Sequence, residues 1–197
     1  MDGMRADARR NLRRIMTAAR DMVAEQGPDA PLDEIARRAG VGSATLYRRF
    51  PDRDALLRAV ALDALTATAT AARTAAEQER DPFEALAHYL REALDLRVSA
   101  VLPALQDVVD LRGDPVLSPA REESARLVRE LVDAARAAGS LPGDVTFMDV
   151  VTMLARIARP LPGTLTPEAE HELARRHLDV YIRGLRALAD APASQYG

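Results

Sequence analysis

Residues 39–50 read AGVGSATLYRRF. Two glycines stand within three residues, between an apolar-patterned segment that closes at Ala39 and another that closes at Phe50. Gly40 falls where the residue after a helix takes the left-handed conformation, which glycine adopts without Cβ strain. Val41 then turns back toward a core, and Ser43 stands where a hydroxyl caps the next helix. Leu46 and Phe50, four apart, share an inward face. The spacing therefore predicts a helix over 32–39, a tight turn, and a short helix over 43–50. Two structures satisfy it. One is an αα-hairpin that binds nothing. The other is a helix-turn-helix, whose second helix enters the major groove, about 12 Å wide, with its N-terminal residues at the base edges. Small residues such as Ser43 and Ala44 permit that approach, and hydroxyl and guanidinium groups beside them bond phosphate oxygens. The next helix start, near Asp52 and Arg53, offers backbone N–H groups and a full charge to another phosphate.

Features outside the stretch favour the second structure. The N-terminal segment is rich in arginine, at Arg5, Arg9, Arg10, Arg13 and Arg14. The formal net charge of −3 hides a polarity. Residues 1–58 carry 12 Arg against 9 Asp and Glu, and the remainder 15 against 21, so a basic front end sits on an acidic body. Such a front end suits an anionic partner. All 27 cationic residues are arginine, through the whole chain, which fits genomic base composition.

Helical periodicity recurs along the chain, and no useful length alternates as a half-buried strand does. Leu12, Ile15, Met16, Ala19, Met22 and Val23 form the first stripe, ended by Gly27-Pro28. Asp52 is placed to cap a long Ala/Thr-rich helix to about Glu79. Asp81-Pro82 reads as the start of a fifth helix through Val98, broken by Pro103. A short sixth to about Arg112, a restart at Gly113–Pro115 and a seventh ended by Gly139 follow. Val145–Met153 looks β-rich, but Phe147, Val150, Val151, Leu154, Ile157 and Ala158 keep helical spacing. Pro160–Gly163 ends that helix, and Thr166-Pro167-Glu168 starts the last. The expectation is an all-α fold of about nine helices: a three-helix domain over 1–53, DNA-binding on the helix-turn-helix reading, a helical body over 54–190, and a disordered tail over 191–197.

The chain has no cysteine, which excludes disulfides and thiolate chemistry. No apolar run approaches the roughly 18 residues of a membrane span and no signal peptide is legible, so a cytoplasmic location is expected. His171 and His177, six apart, do not face each other on a helix, and His88 is remote in sequence. Gly-rich phosphate loops, nucleophile elbows and HExxH strings are absent. A helical enzyme is therefore the less favoured reading, and no cofactor or metal is expected. A helical interaction module without operator binding is the other alternative.

Residues 10–57 resemble the DNA-binding domain of the TetR family of transcriptional repressors. The likeness rests on Ile35-Ala36, Ala39-Gly40-Val41, Thr45-Leu46-Tyr47, Phe50 and Leu56-Leu57. Gly42 stands where that family often has Ser, and Arg53 replaces the usual Lys. The resemblance implies a regulator, typically a repressor released from its operator by a small molecule. It assigns Tyr47 to a phosphate, Ser43 and Thr45 to phosphate or a base edge, and Arg53 to the DNA backbone. Arg48 is the candidate reader of guanine, or else another phosphate contact or a solvent-exposed cation. Arg9, Arg10 and Arg13 supply nonspecific attraction or a solvated face.

The strings LPALQDVVDLRGDP and LARIARPLPG resemble regulators with an SbtR-like C-terminal domain. In this family the body dimerises and holds the effector. Two headpieces must stand about 34–36 Å apart to meet successive major grooves, and a homodimer arranges this most simply. The last two helices are the expected interface, through Phe147, Val151, Leu154, Ile157, Leu178, Tyr181 and Leu185, or these are intrachain core. The effector pocket is expected among helices four to eight. Phe83, Leu86, Tyr89 and Leu90 line it from the fifth helix, with Leu105, Val109, Leu127 and Met148 opposite, or they too are plain core. With 4% aromatic residues and no Trp, aliphatic walls are expected.

Overall fold

The computed structural model describes residues 2–160, 163 and 165–190. Among these, nine helices and no strand occur. Helix α1 (Asp2–Gln26) ends at Gly27, whose φ is +83°. Helices α2 (Leu32–Ala39) and α3 (Ser43–Arg49) follow, and α4 (Arg53–Gln78) starts under Asp52, whose carboxylate accepts the Ala55 N–H at 2.8 Å. Helix α5 (Pro82–Asp95) starts under Asp81, which accepts from Phe83 and Glu84. Then come α6 (Val98–Leu105), α7 (Leu117–Ala137), α8 (Phe147–Ile157) and α9 (Pro167–Asp190). The β-rich-looking stretch is α8, started by a reciprocal pair in which Thr146 and Asp149 satisfy each other's backbone N–H groups.

Three local expectations are corrected. Gly42, not Ser43, occupies the cap position of α3, and Ser43 is its first helical residue with an unspent hydroxyl. The fifth helix stops at Asp95 rather than running through Val98 to Pro103. Arg97 breaks it with φ +56° and ψ +12°, and Pro103 lies inside α6. That left-handed conformation costs a non-glycine residue roughly 1–2 kcal/mol. Residues 106–112, expected to be helical, form turns. Leu161 and Pro162 and the 191–197 tail lie outside the described residues.

Helix α4 is the shared axis. Its length and apolar character meet the criteria for a membrane span, at mean hydropathy 1.3, which corrects the reading that no run comes close. Here it is a core helix, with 56% of that window buried. Ala61, Ala64, Ala71, Ala72 and Ala75 face its neighbours, so α5, α6 and α7 approach closely. Its first turn, through Leu56 and Leu57, joins Ile15, Met22, Ile35, Leu46 and Phe50 in one continuous core. Each such aliphatic side chain contributes about 1.5–3 kcal/mol by leaving water. The headpiece (α1–α3) and the body thus share α4, and α1 also packs on α6.

One ion pair ties α4 to the α7 start. Asp114 accepts the Val116 and Leu117 N–H groups while Arg58 of α4 grips both its oxygens, one from Nη2 at 2.9 Å. The Arg58 guanidinium, helped by those two amides, holds the Asp114 carboxyl well below the usual carboxylate range. A carboxyl depressed in the folded state stabilises it fully above the unfolded value of about 3.9, and that contribution fades progressively as pH falls from there toward the lower folded value. Asp114→Asn is therefore expected to lower Tm at pH 7, with the gap to the parent narrowing below about pH 4. Thermal melts across pH 7 to 2 check this, and a constant gap contradicts it.

Candidate nucleic-acid interface

The turn between α2 and α3 is fixed from both sides. Gly40, at φ +60°, donates its N–H to Arg37 O, and Val41 donates to Ala36 O, closing the end of α2. Arg14 of α1 reaches across and donates to Gly40 O at 2.9 Å. A Cβ at position 40 would meet that guanidinium, the far end of a flexible side chain that can shift, so it is the left-handed conformation that favours glycine here. Leu46 and Phe50 are buried beneath α3. The opposite face carries Ser43, Ala44, Tyr47, Arg48 and Arg49, all exposed, with Thr45 half-buried. Tyr47 leaves 44% of its surface in solvent, unusual for a tyrosine beside a well-packed core.

Hydrogen bonding sorts the headpiece arginines. Arg14, Arg20, Arg37, Arg38 and Arg58 bind carbonyls or carboxylates of the chain, and Arg10 pairs with Asp7. Arg53 is half-buried and donates Nη1 to Pro28 O and Ala30 O, both at 2.7 Å. The guanidinium that the resemblance assigns to phosphate is thus engaged in holding the α1–α2 loop. Arg9, Arg13, Arg48 and Arg49 have no such partner among the described residues, nor do Ser43, Thr45 and Tyr47. Arg49 was missed in the sequence, although it stands in the quoted stretch beside Arg48. Alternate residues of a seven-residue helix give periodicity too little length to show which is solvent-facing.

In the body, the residues named for a pocket are packed. Phe83, Leu86, Tyr89, Leu90 and Leu105 are buried, Val109 and Leu127 partly so, and burial pushes the Tyr89 phenol up. Met148 is 58% exposed and faces away from that core. None of these eight lines the small cavity of about 40 Å³ among α1, α5, α8 and α9, bordered by Arg97 and His171. Nor does any line the groove of about 530 Å³ between α4 and α5, lined by Thr66, Thr70, Thr74, Gln78, His88 and Glu92. His88 meets Glu79 and His171 meets Asp95, each at 3.1 Å. Among the described residues, no group of three metal-ligating side chains converges.

Helix α9 shows its two sides distinctly. Arg175 binds Asp95, Arg91 of α5 binds Asp179, and Arg186 stacks on the Phe83 ring at 4.4 Å. Leu178 and Leu185 are buried on that side, as is Leu154 of α8, so these three belong to the chain's own core. Phe147, Val151, Ile157 and Tyr181 are half-buried. The outer face presents Val180 and Leu188, about three-fifths exposed, flanking Gly184.

Two family models match the chain. Residues 15–60 match the bacterial regulatory proteins of the tetR family, and residues 81–187 match the SbtR-like transcriptional regulator C-terminal domain. No curated protein matches in sequence. Among solved structures, a TetR transcriptional regulator from Streptomyces coelicolor is 31% identical, with 92% of this chain and 98% of that one covered and a TM-score of 0.61. A TetR regulatory protein from Mycobacterium vanbaalenii is 34% identical over 93% and 99%, also at 0.61. The TetR-like regulator LfrR from Mycobacterium smegmatis, in complex with proflavine, shares the fold at 21% identity, 86% and 95% coverage and 0.59.

The geometry of Arg53 yields an expectation of its own. Arg53→Ala removes two charge-assisted bonds, at a stability cost of about 1.5–3 kcal/mol. It leaves the number of neutralised phosphates unchanged. Chemical denaturation should show the loss, while the slope of log affinity against log salt stays that of the parent. A slope shallower by about one unit would reassign Arg53 to phosphate.

Proposed function

Because the chain belongs to the TetR family, and is thereby a DNA-binding transcriptional regulator, we propose how its own residues carry that activity. Two copies set their α3 helices in successive major grooves of one operator, and an effector in the body releases them. The observation that carries the DNA reading is the face of α3. Its Ser43 and Tyr47 hydroxyls and two arginines are exposed and unpaired, while most other headpiece arginines are engaged within the chain. Tyr47 contacts a phosphate, Ser43 and Thr45 take phosphate or a base edge, and Arg48 reads guanine by a bidentate pair. Arg49, Arg9 and Arg13 add attraction, which Arg10 shares only in part because Asp7 holds it. The headpiece ends and the body begins near residue 53, where α4 starts. DNA as target places the protein's work in the cytoplasm.

The partner copy seats on the outer face of α8 and α9. Val180, Gly184 and Leu188 form one stripe of α9, joined by Tyr181 and by Met148 and Val151 of α8. Gly184 has open space where a side chain would stand, which lets a facing helix come close. Pairing α8 and α9 with their mates gives a four-helix bundle. The effector occupies the groove between α4 and α5, whose volume lies within the 300–1,000 Å³ usual for small-molecule sites. The Phe83, Leu86, Tyr89 and Leu90 side of α5 forms the packed wall behind it. A ligand there spreads α4 from α5 and shifts the helix that begins at the headpiece. Differential affinity for the two arrangements weakens DNA binding by about 1–3 kcal/mol, reciprocally.

Selection of bound duplexes from a random pool, followed by titration, tests the reading. A palindromic site with half-sites about one helical turn apart is expected, with steep salt dependence. No preference for any duplex would overturn it. On that operator, Arg48→Ala should cost about 1–3 kcal/mol and relax choice at one base pair, whereas Tyr47→Ala should weaken all sequences alike. Sedimentation should report a dimer for the parent and a monomer for Val180→Glu, since a buried unpaired carboxylate at such a contact is strongly unfavourable. A dimeric Val180→Glu would move the interface elsewhere.

A further inference from the structure

Asp21 and Glu25 stand one turn apart on α1, where like charges repel. Two arginines answer them. Arg38 of α2 donates both terminal nitrogens to Glu25, at 2.6 and 3.0 Å, and lies 3.7 Å from Asp21. Arg97, at the joint between α5 and α6, lies 3.7 Å from Asp21 and 3.5 Å from Glu25. The Glu25 side chain is only 14% exposed, so water screens these charges less than it does a surface pair. Arg38 belongs to the headpiece and Arg97 to the body, and the same two carboxylates hold both.

Arg97 is singular in a second way. Among the described residues it is the only non-glycine with positive φ. The chain holds an arginine in a conformation that glycine or asparagine adopts more readily, at the point where a guanidinium reaches α1. Nothing in local sequence requires this. The conformation coincides with the two ion pairs to α1.

We propose that Arg97 is a positioning residue for operator binding: it sets the tilt of the helix-turn-helix on the body by sharing Asp21 and Glu25 with Arg38. Arg97 touches no DNA. The headpiece is otherwise held by the continuous backbone of α4, by α1 packing on α6, and by the Arg20–Asp63 pair at 3.5 Å. Without Arg97, α4 becomes a looser hinge. In a dimer, a change of tilt alters the separation of the two α3 helices, which DNA fixes in steps of about 3.4 Å per base pair. The claim rests on the dimeric reading above, and the test separates the two.

Arg97→Gly and Arg97→Asn both suit the backbone and delete the guanidinium, so neither forces the joint open. With the selected operator, affinity is measured for duplexes whose half-site spacing is shortened or lengthened by one and two base pairs, and for a single half-site. The parent should discriminate sharply by spacing. Both variants should lose about tenfold of that discrimination. Their affinity for the single half-site and their salt slope should be unchanged, and Arg97→Lys should restore part of the loss. Asp21→Asn should shift spacing preference in the same direction. Folded variants that keep the parent's discrimination overturn the proposal. So does an equal weakening toward half-site and full operator, which would make Arg97 a support of headpiece folding. A parent indifferent to spacing defeats the dimeric reading itself, before Arg97 is at issue.

Discussion

The structure depends on one helix being buried in both domains at once. Leu56, Leu57 and Val60 of α4 complete the headpiece core, and Ala64 through Ala75 fill the body core against α5 and α7. Small side chains let the neighbouring backbones come close, and close-packed interiors resist continuous deformation. A shift of α4 in the body is therefore delivered to the headpiece as a tilt rather than dissipated. The buried hydroxyl of Thr68 does not disturb this, because it donates to Ala64 O one turn back. With α4 as the rigid member, the contacts on either side of its first turns decide how far the headpiece is free to move.

Around the apolar core, the polar contacts there are guanidinium groups: Arg20, Arg53 and Arg58. A chain without lysine has only arginine to serve structure and recognition. The planar fork suits both tasks: it satisfies two carbonyls from one residue, as Arg53 does, or two carboxylate oxygens, as Arg38 and Arg58 do. Cations used in this way are fixed in place and partly neutralised. Those left over on α3 and early α1 are then distinct in chemical state as well as position. Counting arginines along the headpiece overstates its charge toward DNA, and sorting them by partner gives the working set.

Much of this was legible in the sequence where one residue carried one local reason. Gly40, Asp52 and Asp81-Pro82 each act through backbone groups a few residues away, and the helix boundaries they imply are present. The break at Arg97 was not legible: no glycine, asparagine or proline marks it, and the carboxylates its side chain meets lie on α1, more than seventy residues earlier. Pro103 looked the stronger breaker, yet it lies inside α6, which ends two residues later at Leu105. The dimer face shows a different difficulty. Helix α9 is apolar on two sides, with Leu178 and Leu185 on one and Val180 and Leu188 on the other. Periodicity cannot tell which side a chain keeps for itself, and ion pairs to α5 decide it. The pocket residues assigned to α5 share a cause: on the buried face of a helix, wall and core have the same composition.

The acidic body does not oppose binding to a polyanion. The net charge of −3 would seem to disfavour it. At physiological ionic strength, however, exposed charges are screened beyond about 8 Å, so groups on α8 and α9 have little influence at a phosphate facing α3. Many body carboxylates are also locally compensated, as Asp95 is by Arg175 and Glu123 by Arg126. On the proposed reading, what the DNA meets is set by side chains within one Debye length of it: Arg48, Arg49 and the hydroxyls of Ser43, Thr45 and Tyr47. The same screening makes the long-range field too weak to orient the headpieces. Their separation must come from short, part-buried contacts, and the carboxylates of Asp21 and Glu25 provide such a contact at the seam between headpiece and body.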